Sequence, residues 1–279
     1  MKRQYTIAVC QMDSQDDKTA NLDWSQKAIE AAAARGASLV SFPEVFNVID
    51  KGAEAPEDLA GGRTISFMQE LARKHKLYLH CGSIAERVEG AEKKYNTTVL
   101  LDPQGEMIAV YRKLHLFDIT MPDGSEARES DKIQPGNEIV TVETELGHLG
   151  LSICYDIRFP ELYRAMALMG AQVIFTPANF TLPTGKDHWE PILRARAIEN
   201  GVYIVASAQM GRKRGTQDKF GSTLVADPWG TVVAKAPERP SVIYADIDLD
   251  YADKVQRNIP GLVNRRSDVY RITYGGKEY

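Results

Sequence analysis

The chain has 279 residues, of which 43% are hydrophobic and 26% are charged, and its formal net charge is −4 at pH 7. This composition is that of a globular protein with an ample core, which excludes a disordered chain, and the length suits one large α/β domain or two ordinary ones. The negative balance and the scattered basic residues argue against a nucleic-acid-binding protein, which needs a concentrated basic surface.

The first residues and the cysteines limit the class of protein and its location further. The chain passes into a predicted strand without the apolar core of a secretory signal, and no apolar run is long enough to span a bilayer. We therefore expect a cytoplasmic protein with no membrane partner. Cys10, Cys81 and Cys154 are odd in number, far apart and without Cys or His at metal-ligand spacing, so neither a disulfide framework nor a bound metal is expected.

The first half of the chain predicts alternating strands and helices. They comprise a strand over residues 6–12, a helix over 24–35, a strand over 38–42, a helix over 64–76, a strand over 77–87 and a hairpin of 95–101 with 106–114. The turn of this hairpin, Asp102-Pro103-Gln104-Gly105, has residues suited to a tight turn. Residues 117–136 show little periodicity, and a loop of that length in a compact domain is usually functional.

The second half contains the stretch around Cys154, which predicts a strand, a sharp turn and a helix. An apolar run ends at Cys154, Pro160 suits the first helical position, and Gly170 ends the helix. Cys154 would lie close to a helix N-terminus, whose free N–H groups lower a thiol's pKa; the alternative is a buried structural thiol. The later predictions are a strand over 172–176, a helix over 187–200, a strand over 202–210, a hairpin of 222–226 with 231–235, a strand over 242–247, a last helix and a basic tail.

An internal repeat relates the two halves. The predicted strands that begin near Tyr78 and Tyr203 are each followed, at the same spacing, by a hairpin with an Asp-Pro-x-Gly turn. Upstream, Pro43-Glu44 parallels Pro177-Ala178. Several matches in the same order predict two βαβ-type halves related by a pseudo-two-fold axis. Each half would form a mixed sheet with helices on one face, and the two sheets would pack together as a four-layer α-β-β-α sandwich.

The repeat also relates candidate functional positions. The segment at Cys10 parallels the segment at Cys154, and Glu44 and Cys154 each follow a predicted strand, one in each half. Sites in open α/β sheets gather outside the carboxyl ends of strands. Glu44 and Cys154 are therefore expected at one site.

Glu44, Lys113 and Cys154 have the functional groups that a catalytic mechanism needs. Glu44 follows an apolar strand, where a raised pKa would suit a general acid or base; the alternative is a carboxylate in water. Lys113 shares a strand face with Tyr111 and would stabilise negative charge if held inside, the alternative being a snorkelling lysine. Together they permit acyl transfer to water through a thioester, in which Glu44 takes the thiol proton and Lys113 with the Tyr155 N–H receives the oxyanion. No cofactor is needed.

The segments around these three residues resemble the nitrilase superfamily of carbon–nitrogen hydrolases. Glu44 in Phe-Pro-Glu, Lys113 in Tyr-Arg-Lys-Leu-His-Leu and Cys154 in Ile-Cys-Tyr-Asp-Ile-Arg-Phe-Pro-Glu match the Glu-Lys-Cys triad of that superfamily. The resemblance implies one carbon–nitrogen hydrolase domain over residues 1–279, with the α-β-β-α fold. It also implies a homodimer or higher homo-oligomer, with the tail over residues 250–279 at the interface.

The resemblance further implies which residues surround the triad. Glu129 is the second glutamate that holds Lys113 and helps to position substrate, with Glu126 as the competitor for that role. Within the superfamily the chain is most similar to the branch that contains deaminated glutathione amidase and omega-amidase. The implied substrate-binding residues are Tyr155, Arg158, Asn179, Phe180 and Thr184.

Four positions near the triad leave alternatives open. Arg158 would bind a substrate carboxylate or would tie loops together. His188 is favoured as a packing and capping residue over a proton carrier, and His115 as a satisfied strand histidine. The branch commonly has alanine where this chain has Asn179. This difference near the acyl pocket means that the resemblance does not assign the exact substrate.

The expected function is an amidase that acts on a small-molecule amide. It would hydrolyse the terminal carboxamide of a carboxylate-bearing substrate, deaminated glutathione or an α-keto acid ω-amide, through a cysteine thioester, and release ammonia. The alternatives are an N-carbamoyl hydrolase with the same triad and a catalytically idle binding or scaffold protein. A true nitrilase is disfavoured because Tyr155-Asp156 follows the cysteine where a Trp-Glu pair would be expected.

Overall fold

Two mixed β-sheets organise the protein, whose computed structural model describes residues 1–49, 56–120, 124, 126–212 and 218–278. The strands are β1 (Gln4–Met12), β2 (Leu39–Ser41), β3 (Tyr78–His80), β4 (Ile84–Glu86), β5 (Tyr95–Leu101), β6 (Met107–Arg112), β7 (Asp118–Thr120), β8 (Glu126–Arg128), β9 (Thr141–Thr144), β10 (Gly147–Leu151), β11 (Val173–Phe175), β12 (Tyr203–Ala206), β13 (Ala208–Gly211), β14 (Lys219–Phe220), β15 (Leu224–Ala226), β16 (Val232–Lys235), β17 (Ser241–Asp248), β18 (Thr273–Tyr274) and β19 (Lys277–Glu278).

Helices connect these strands. The α-helices are α1 (Lys18–Ala34), α2 (Arg63–His75), α3 (Pro160–Leu168), the single turn α4 (Leu182–Thr184), α5 (Glu190–Asn200) and α6 (Leu249–Asn258). Shorter helical segments are the 3₁₀ helices Glu129–Asp131 and Cys154–Arg158 and the π-helix Gly185–Trp189. Within the described ranges, no helix is long and apolar enough to cross a membrane.

Six strands have the same order in both sheets, which confirms the predicted repeat, and the first sheet also contains β4, β13 and β14. In the first sheet β1, β2 and β3 run parallel, β5 and β6 continue antiparallel on one side, and β17 lies antiparallel to β1 on the other. In the second sheet β10, β11 and β12 run parallel, β15 and β16 continue antiparallel, and β9 lies antiparallel to β10. Helices α1 and α2 connect the parallel strands of the first sheet, and α3 and α5 those of the second.

The alternation of side chains along β1 shows how the layers pack. Ile7 and Val9 join a buried cluster that includes the second sheet, whereas Ala8 and Cys10 join a cluster with α1 and α2. Across the two sheets, the His80 ring stacks on Phe175 with 4.7 Å between ring centroids. One face of the first sheet therefore packs on helices and the other on the second sheet, as expected for the α-β-β-α sandwich.

The strand register corrects the predicted correspondence between Cys10 and Cys154. Ile7 and Leu149 occupy equivalent positions, because each is the first residue of its strand that pairs with the next parallel strand. Cys10 therefore corresponds to Ser152, and Cys154 corresponds to a position two residues further along β1. The prediction was wrong because it matched residue type, whereas the equivalence of positions is set by hydrogen-bond register.

The predicted strand over residues 202–210 is divided between the two sheets. Its first part, β12, pairs with β11 in the second sheet, whereas β13 pairs with β1 in the first. The break falls at Ser207, whose hydroxyl donates a hydrogen bond to the Phe42 carbonyl at 2.6 Å. The apolar run across Ser207 contains no glycine or proline, so the change of sheet left no local signal in the sequence.

Two further predicted segments differ in their internal structure. Within residues 117–136, the described part contains the hairpin of β7 with β8, followed by a 3₁₀ turn, while residues 121–123 and 125 lie outside the described residues. The helix predicted over 187–200 is preceded by α4 and begins as the π-helix Gly185–Trp189 before α5. Both segments border the cavity described next.

Candidate active site

Glu44, Lys113 and Cys154 converge on the wall of one cavity of about 440 Å³. Glu44 follows β2, Lys113 follows β6, and Cys154 begins the 3₁₀ helix after β10. The Lys113 Nζ lies 3.1 Å from Glu44 Oε1, and the Glu44 carboxylate lies near enough to the Cys154 thiol to raise its pKa. Their exposed fractions are only 5% for Glu44, 2% for Lys113 and 7% for Cys154. Three strand ends that are far apart in sequence therefore place a thiol, a carboxylate and an ammonium at one site.

The backbone is strained at the two turns that carry the thiol and the carboxylate. Cys154 has φ 50°, and Val45, next to Glu44, has φ 49°. This left-handed region is uncommon for residues with a Cβ and more so for a β-branched one. Hydrogen bonds hold both turns, since the Cys154 N–H donates to the Pro177 carbonyl at 2.8 Å and the Val45 N–H to Ser83 Oγ at 3.0 Å.

Glu129 reaches the same cluster and Glu126 does not. The Lys113 Nζ lies 2.8 Å from Glu129 Oε2 and 3.1 Å from its Oε1, and the Phe117 N–H donates to Oε2 at 2.7 Å. The exposed Glu126 pairs with Arg128 instead. Burial alone would lower the pKa of Lys113, but the carboxylates of Glu44 and Glu129 raise it, so the ammonium stays charged.

The Cys154 thiol has a raised pKa, which corrects the expectation of a lowered one. Burial raises the pKa well above its ordinary value and the Glu44 charge adds to this, while Lys113 and the N–H of Asn179 act in the opposite direction. The helix expected to acidify the thiol, α3, begins only at Pro160. The thiol is therefore protonated at neutral pH, and its attack on a substrate requires a base.

Asp156 joins the cysteine turn to the strand end that carries Lys113. Its fully buried carboxylate accepts hydrogen bonds from the Tyr111 hydroxyl at 2.6 Å and the Ile153 N–H at 2.8 Å. It also accepts one from the His115 N–H at 3.1 Å and lies 2.8 Å from His115 Nδ1. His115 is therefore the satisfied histidine that was favoured. The sequence did not predict that Asp156 joins the two segments. Its partners outside its own turn, Tyr111 and His115, lie more than forty positions earlier in the chain.

Asn96 is a second residue that sequence reasoning missed. Its Nδ2 donates to Glu44 Oε1 at 2.9 Å and lies 3.3 Å from Glu129 Oε1, so one amide bridges the two carboxylates that hold Lys113. It is 6% exposed and lines the cavity. Its position within the predicted hairpin strand, next to two threonines, gave no signal.

Replacing Asn96 by alanine should lower kcat about 10- to 100-fold, the effect of losing one hydrogen bond to a charged group. Without this amide, Glu44 and Glu129 lose the bridge that fixes their positions around Lys113, so kcat should fall with little change in KM. Steady-state kinetics would measure both constants, and a raised KM with an unchanged kcat would contradict a positioning role.

Three of the five implied substrate-binding residues line the cavity. They are Asn179, Phe180 and Thr184. Tyr155 and Arg158 are not among the lining residues; the Tyr155 ring packs edge-on against Phe117, with 5.2 Å between ring centroids.

Arg158 lies beside the cavity wall without reaching the cavity itself. Its guanidinium lies 5.5 Å from the centre of the Phe180 ring and 5.8 Å from that of Tyr155. Both terminal nitrogens lie 3.4 Å from His188 Nδ1. This arrangement agrees with the alternative in which Arg158 ties neighbouring segments together.

The rest of the cavity is bordered by both halves of the fold. Its remaining described lining residues are Lys18, Val45, Asn47, Val48, Ile49, Pro56, Glu57, Ile84, Ala85, Lys94, Tyr95, Asn96, Phe117, Ala127, Arg128, Glu129, Ile133, Thr181 and Lys219. In the part of the chain that the structure describes, no group of three or more His, Cys, Asp or Glu side chains is arranged to hold a metal ion.

Comparison with known proteins agrees with this geometry. A model of the carbon–nitrogen hydrolase family matches residues 6–257. The nitrilase and fragile histidine triad fusion protein NitFhit of Caenorhabditis elegans is 41% identical over 271 residues, which cover 95% of this chain but only 62% of the fusion protein. A deaminated glutathione amidase of Synechocystis sp. is 40% identical over 266 residues, covering 94% of this chain and 98% of that protein. The crystal structure of Saccharomyces cerevisiae Nit3, a member of branch 10 of the nitrilase superfamily, has a TM-score of 0.86 and 30% identity and covers 96% of this chain and 97% of its own.

Proposed function

This chain belongs to the carbon–nitrogen hydrolase family, and from that premise we propose that it is an amidase whose nucleophile is Cys154. The observation that carries the proposal is the convergence of Cys154, Glu44 and Lys113 on the wall of one cavity, where Glu44 raises the pKa of the thiol and lies 3.1 Å from the Lys113 Nζ. A protonated thiol beside a carboxylate has its base at hand, and an ammonium beside both can stabilise negative charge that develops on a substrate oxygen.

The proposed reaction proceeds in two halves through a thioester. Glu44 takes the proton of Cys154 as the sulfur attacks the amide carbon, and the carbonyl electron pair moves to oxygen, where Lys113 and the N–H of Tyr155 stabilise it. Collapse of this intermediate breaks the C–N bond, and Glu44 gives its proton to the departing nitrogen. Ammonia leaves from a primary carboxamide and an amine from a substituted amide.

Hydrolysis of the thioester completes the cycle. Glu44, again a carboxylate, takes a proton from a water molecule whose oxygen attacks the thioester carbon. The C–S bond then breaks, the acid leaves, and the proton returns from Glu44 to the Cys154 sulfur. Glu129 and Asn96 take no part in the bond changes; they hold Lys113 and Glu44 in position.

The cavity supports a small anionic amide as substrate. Its described lining has five cationic side chains and three acidic ones, an excess of positive charge in a chain whose net charge is −4. Two buried acceptors, the Oδ1 atoms of Asn96 and Asn179, have no partner among the described residues and are available to the N–H groups of an amide. With relatives named deaminated glutathione amidase, we propose deaminated glutathione or an α-keto acid ω-amide as the substrate.

A substrate panel tests this function. The purified protein is assayed for release of ammonia or amine from deaminated glutathione, ω-amides of dicarboxylic acids and N-carbamoyl compounds. The proposal expects hydrolysis of the first two classes. Release of carbon dioxide together with ammonia from the N-carbamoyl compounds would identify a carbamoylase instead. Failure to hydrolyse any of them, with a Cys154 no more reactive to alkylation than Cys10 or Cys81, would indicate a binding protein.

We further propose that the protein is a cytoplasmic homodimer with the C-terminal tail at its interface. Several apolar side chains of the tail, which would be costly to leave in water, are exposed. They are Ile259, Val263, Val269 and Tyr270. Sedimentation analysis tests the assembly, and a monomeric mass at micromolar concentration would contradict it.

A further inference from the structure

Three of the five cations on the described cavity wall are already paired with carboxylates. Lys113 contacts Glu44 and Glu129. Lys18 is paired with Glu57, and Arg128 with Glu126. A substrate anion gains little from a cation that is already paired, because it would have to displace the resident carboxylate.

Lys219 is a cavity cation without such a partner. Its ammonium makes no ion pair or hydrogen bond with another described residue, although the side chain is half-buried. Burial lowers the pKa of Lys219, and the nearness of Cys154 and Glu44 acts in the opposite direction. A desolvated cation without a counterion costs free energy, and a bound anion would recover it.

The backbone holds Lys219 against the part of the wall that lies next to Cys154. Lys219 is paired with Thr181 in an isolated antiparallel bridge, and the Phe220 N–H donates to the Phe180 carbonyl at 3.0 Å. Thr181 and Phe180 both line the cavity, two and one residues after Asn179, whose backbone N–H lowers the pKa of the Cys154 thiol. Lys219 therefore faces the same space as the nucleophile.

We propose that Lys219 binds the carboxylate at the far end of the acyl group and thereby selects ω-amides of dicarboxylic acids. This inference rests on the proposed amidase function and assigns its substrate specificity to one side chain. It also replaces Arg158 as the carboxylate receptor, since Arg158 contacts His188 and the Phe180 ring and does not line the cavity.

The test compares a charged amide with a neutral one of the same shape. Glutaramate and 5-methylhexanamide differ only in having a carboxylate or an isopropyl group at the end distant from the amide. Lys219→Met should lower kcat/KM for glutaramate about 100-fold, mainly through KM, and change that for 5-methylhexanamide less than about 3-fold. Lys219→Arg should retain kcat/KM for glutaramate to within about 10-fold, because it keeps the charge but changes its geometry.

A matched control separates a direct contact from a general effect of charge. Arg212 lies next to Gly211, the partner of Lys219 in the β13–β14 pair, but it is exposed and does not line the cavity. Arg212→Gln removes the same charge from the same region and should leave both substrates unchanged. Equal losses on both substrates in Lys219→Met, or an unchanged kcat/KM for glutaramate, would overturn the proposal.

A binding measurement keeps this inference distinct from the proposed function. Titration calorimetry with glutarate should show binding to the wild type and about 100-fold weaker binding to Lys219→Met. If the wild type hydrolyses neither amide, the amidase proposal fails and the glutarate titration decides the role of Lys219 by itself. Equal affinity of both proteins for glutarate would then overturn it.

Discussion

Replacing Cys154 by alanine should reduce kcat by about 10⁴-fold or more, because no other side chain at the site can form the thioester. The fold should be unaffected, since the lost sulfur faces the cavity and the 3₁₀ turn is held by Asp156, which accepts from the Ile153 N–H. Ammonia release measures the first effect, and thermal unfolding with far-UV circular dichroism measures the second. Residual activity within 10-fold of the wild type would contradict a nucleophilic role.

The other two cysteines provide matched controls. Cys10 lies on the face of β1 that packs on helices α1 and α2, and Cys81 is buried in the same hydrophobic cluster. Burial raises the pKa of both thiols and neither lines the cavity. Cys10→Ala and Cys81→Ala should retain kcat while lowering stability, by an amount set by the small cavity that each leaves. Iodoacetamide should inactivate the wild type and both of these variants by reaction at Cys154.

Replacing Glu44 by glutamine should lower kcat about 10³-fold, because an amide of nearly the same shape cannot accept the thiol proton. The variant should nevertheless have a more acidic thiol. The Glu44 charge raises the pKa of Cys154 whereas Lys113 lowers it, so removal of the negative charge leaves the lowering effect of Lys113. The pKa of Cys154 should therefore fall in Glu44→Gln, and the thiolate should form at lower pH.

Two measurements, the titration midpoint of the thiol and the turnover rate, show whether Glu44 is a base or only maintains structure. Thiolate absorbance near 240 nm, taken as the difference from Cys154→Ala, should have its midpoint at lower pH in Glu44→Gln than in the wild type, while turnover stays low. An active Glu44→Gln enzyme would show that another group takes the proton. An inactive one with an unchanged thiol midpoint would show that Glu44 acts in some way other than through the thiol.

The parts of the site that the sequence predicted are those set by local pattern. Glu44, Lys113 and Cys154 each follow a short apolar strand, and the internal repeat predicted that such strand ends meet. The four-layer arrangement followed from the same repeat. Glu129 was implied only by resemblance, because the segment that carries it has no periodicity of its own, and the structure brings it to Lys113.

The parts that the sequence did not predict depend on contacts between distant segments. Asn96 lies on β5 and Lys219 on β14, and both line the cavity only because of where those strands lie in the fold. The raised pKa of Cys154 could not be foreseen from its nearness to α3, since burial and Glu44 outweigh any helix dipole at that distance. The match of Cys10 with Cys154 failed for the related reason that register is a property of paired strands.

The covalent intermediate on Cys154 is the central claim, and mass spectrometry of the acid-quenched enzyme tests it most directly. Enzyme mixed with excess ω-amide and quenched within one turnover should gain the mass of the acyl group. Peptide mapping should place that group on Cys154, and hydroxylamine should remove it. An acyl group on any other side chain, or amide hydrolysis that continues unchanged after Cys154 has been fully alkylated, would contradict the account.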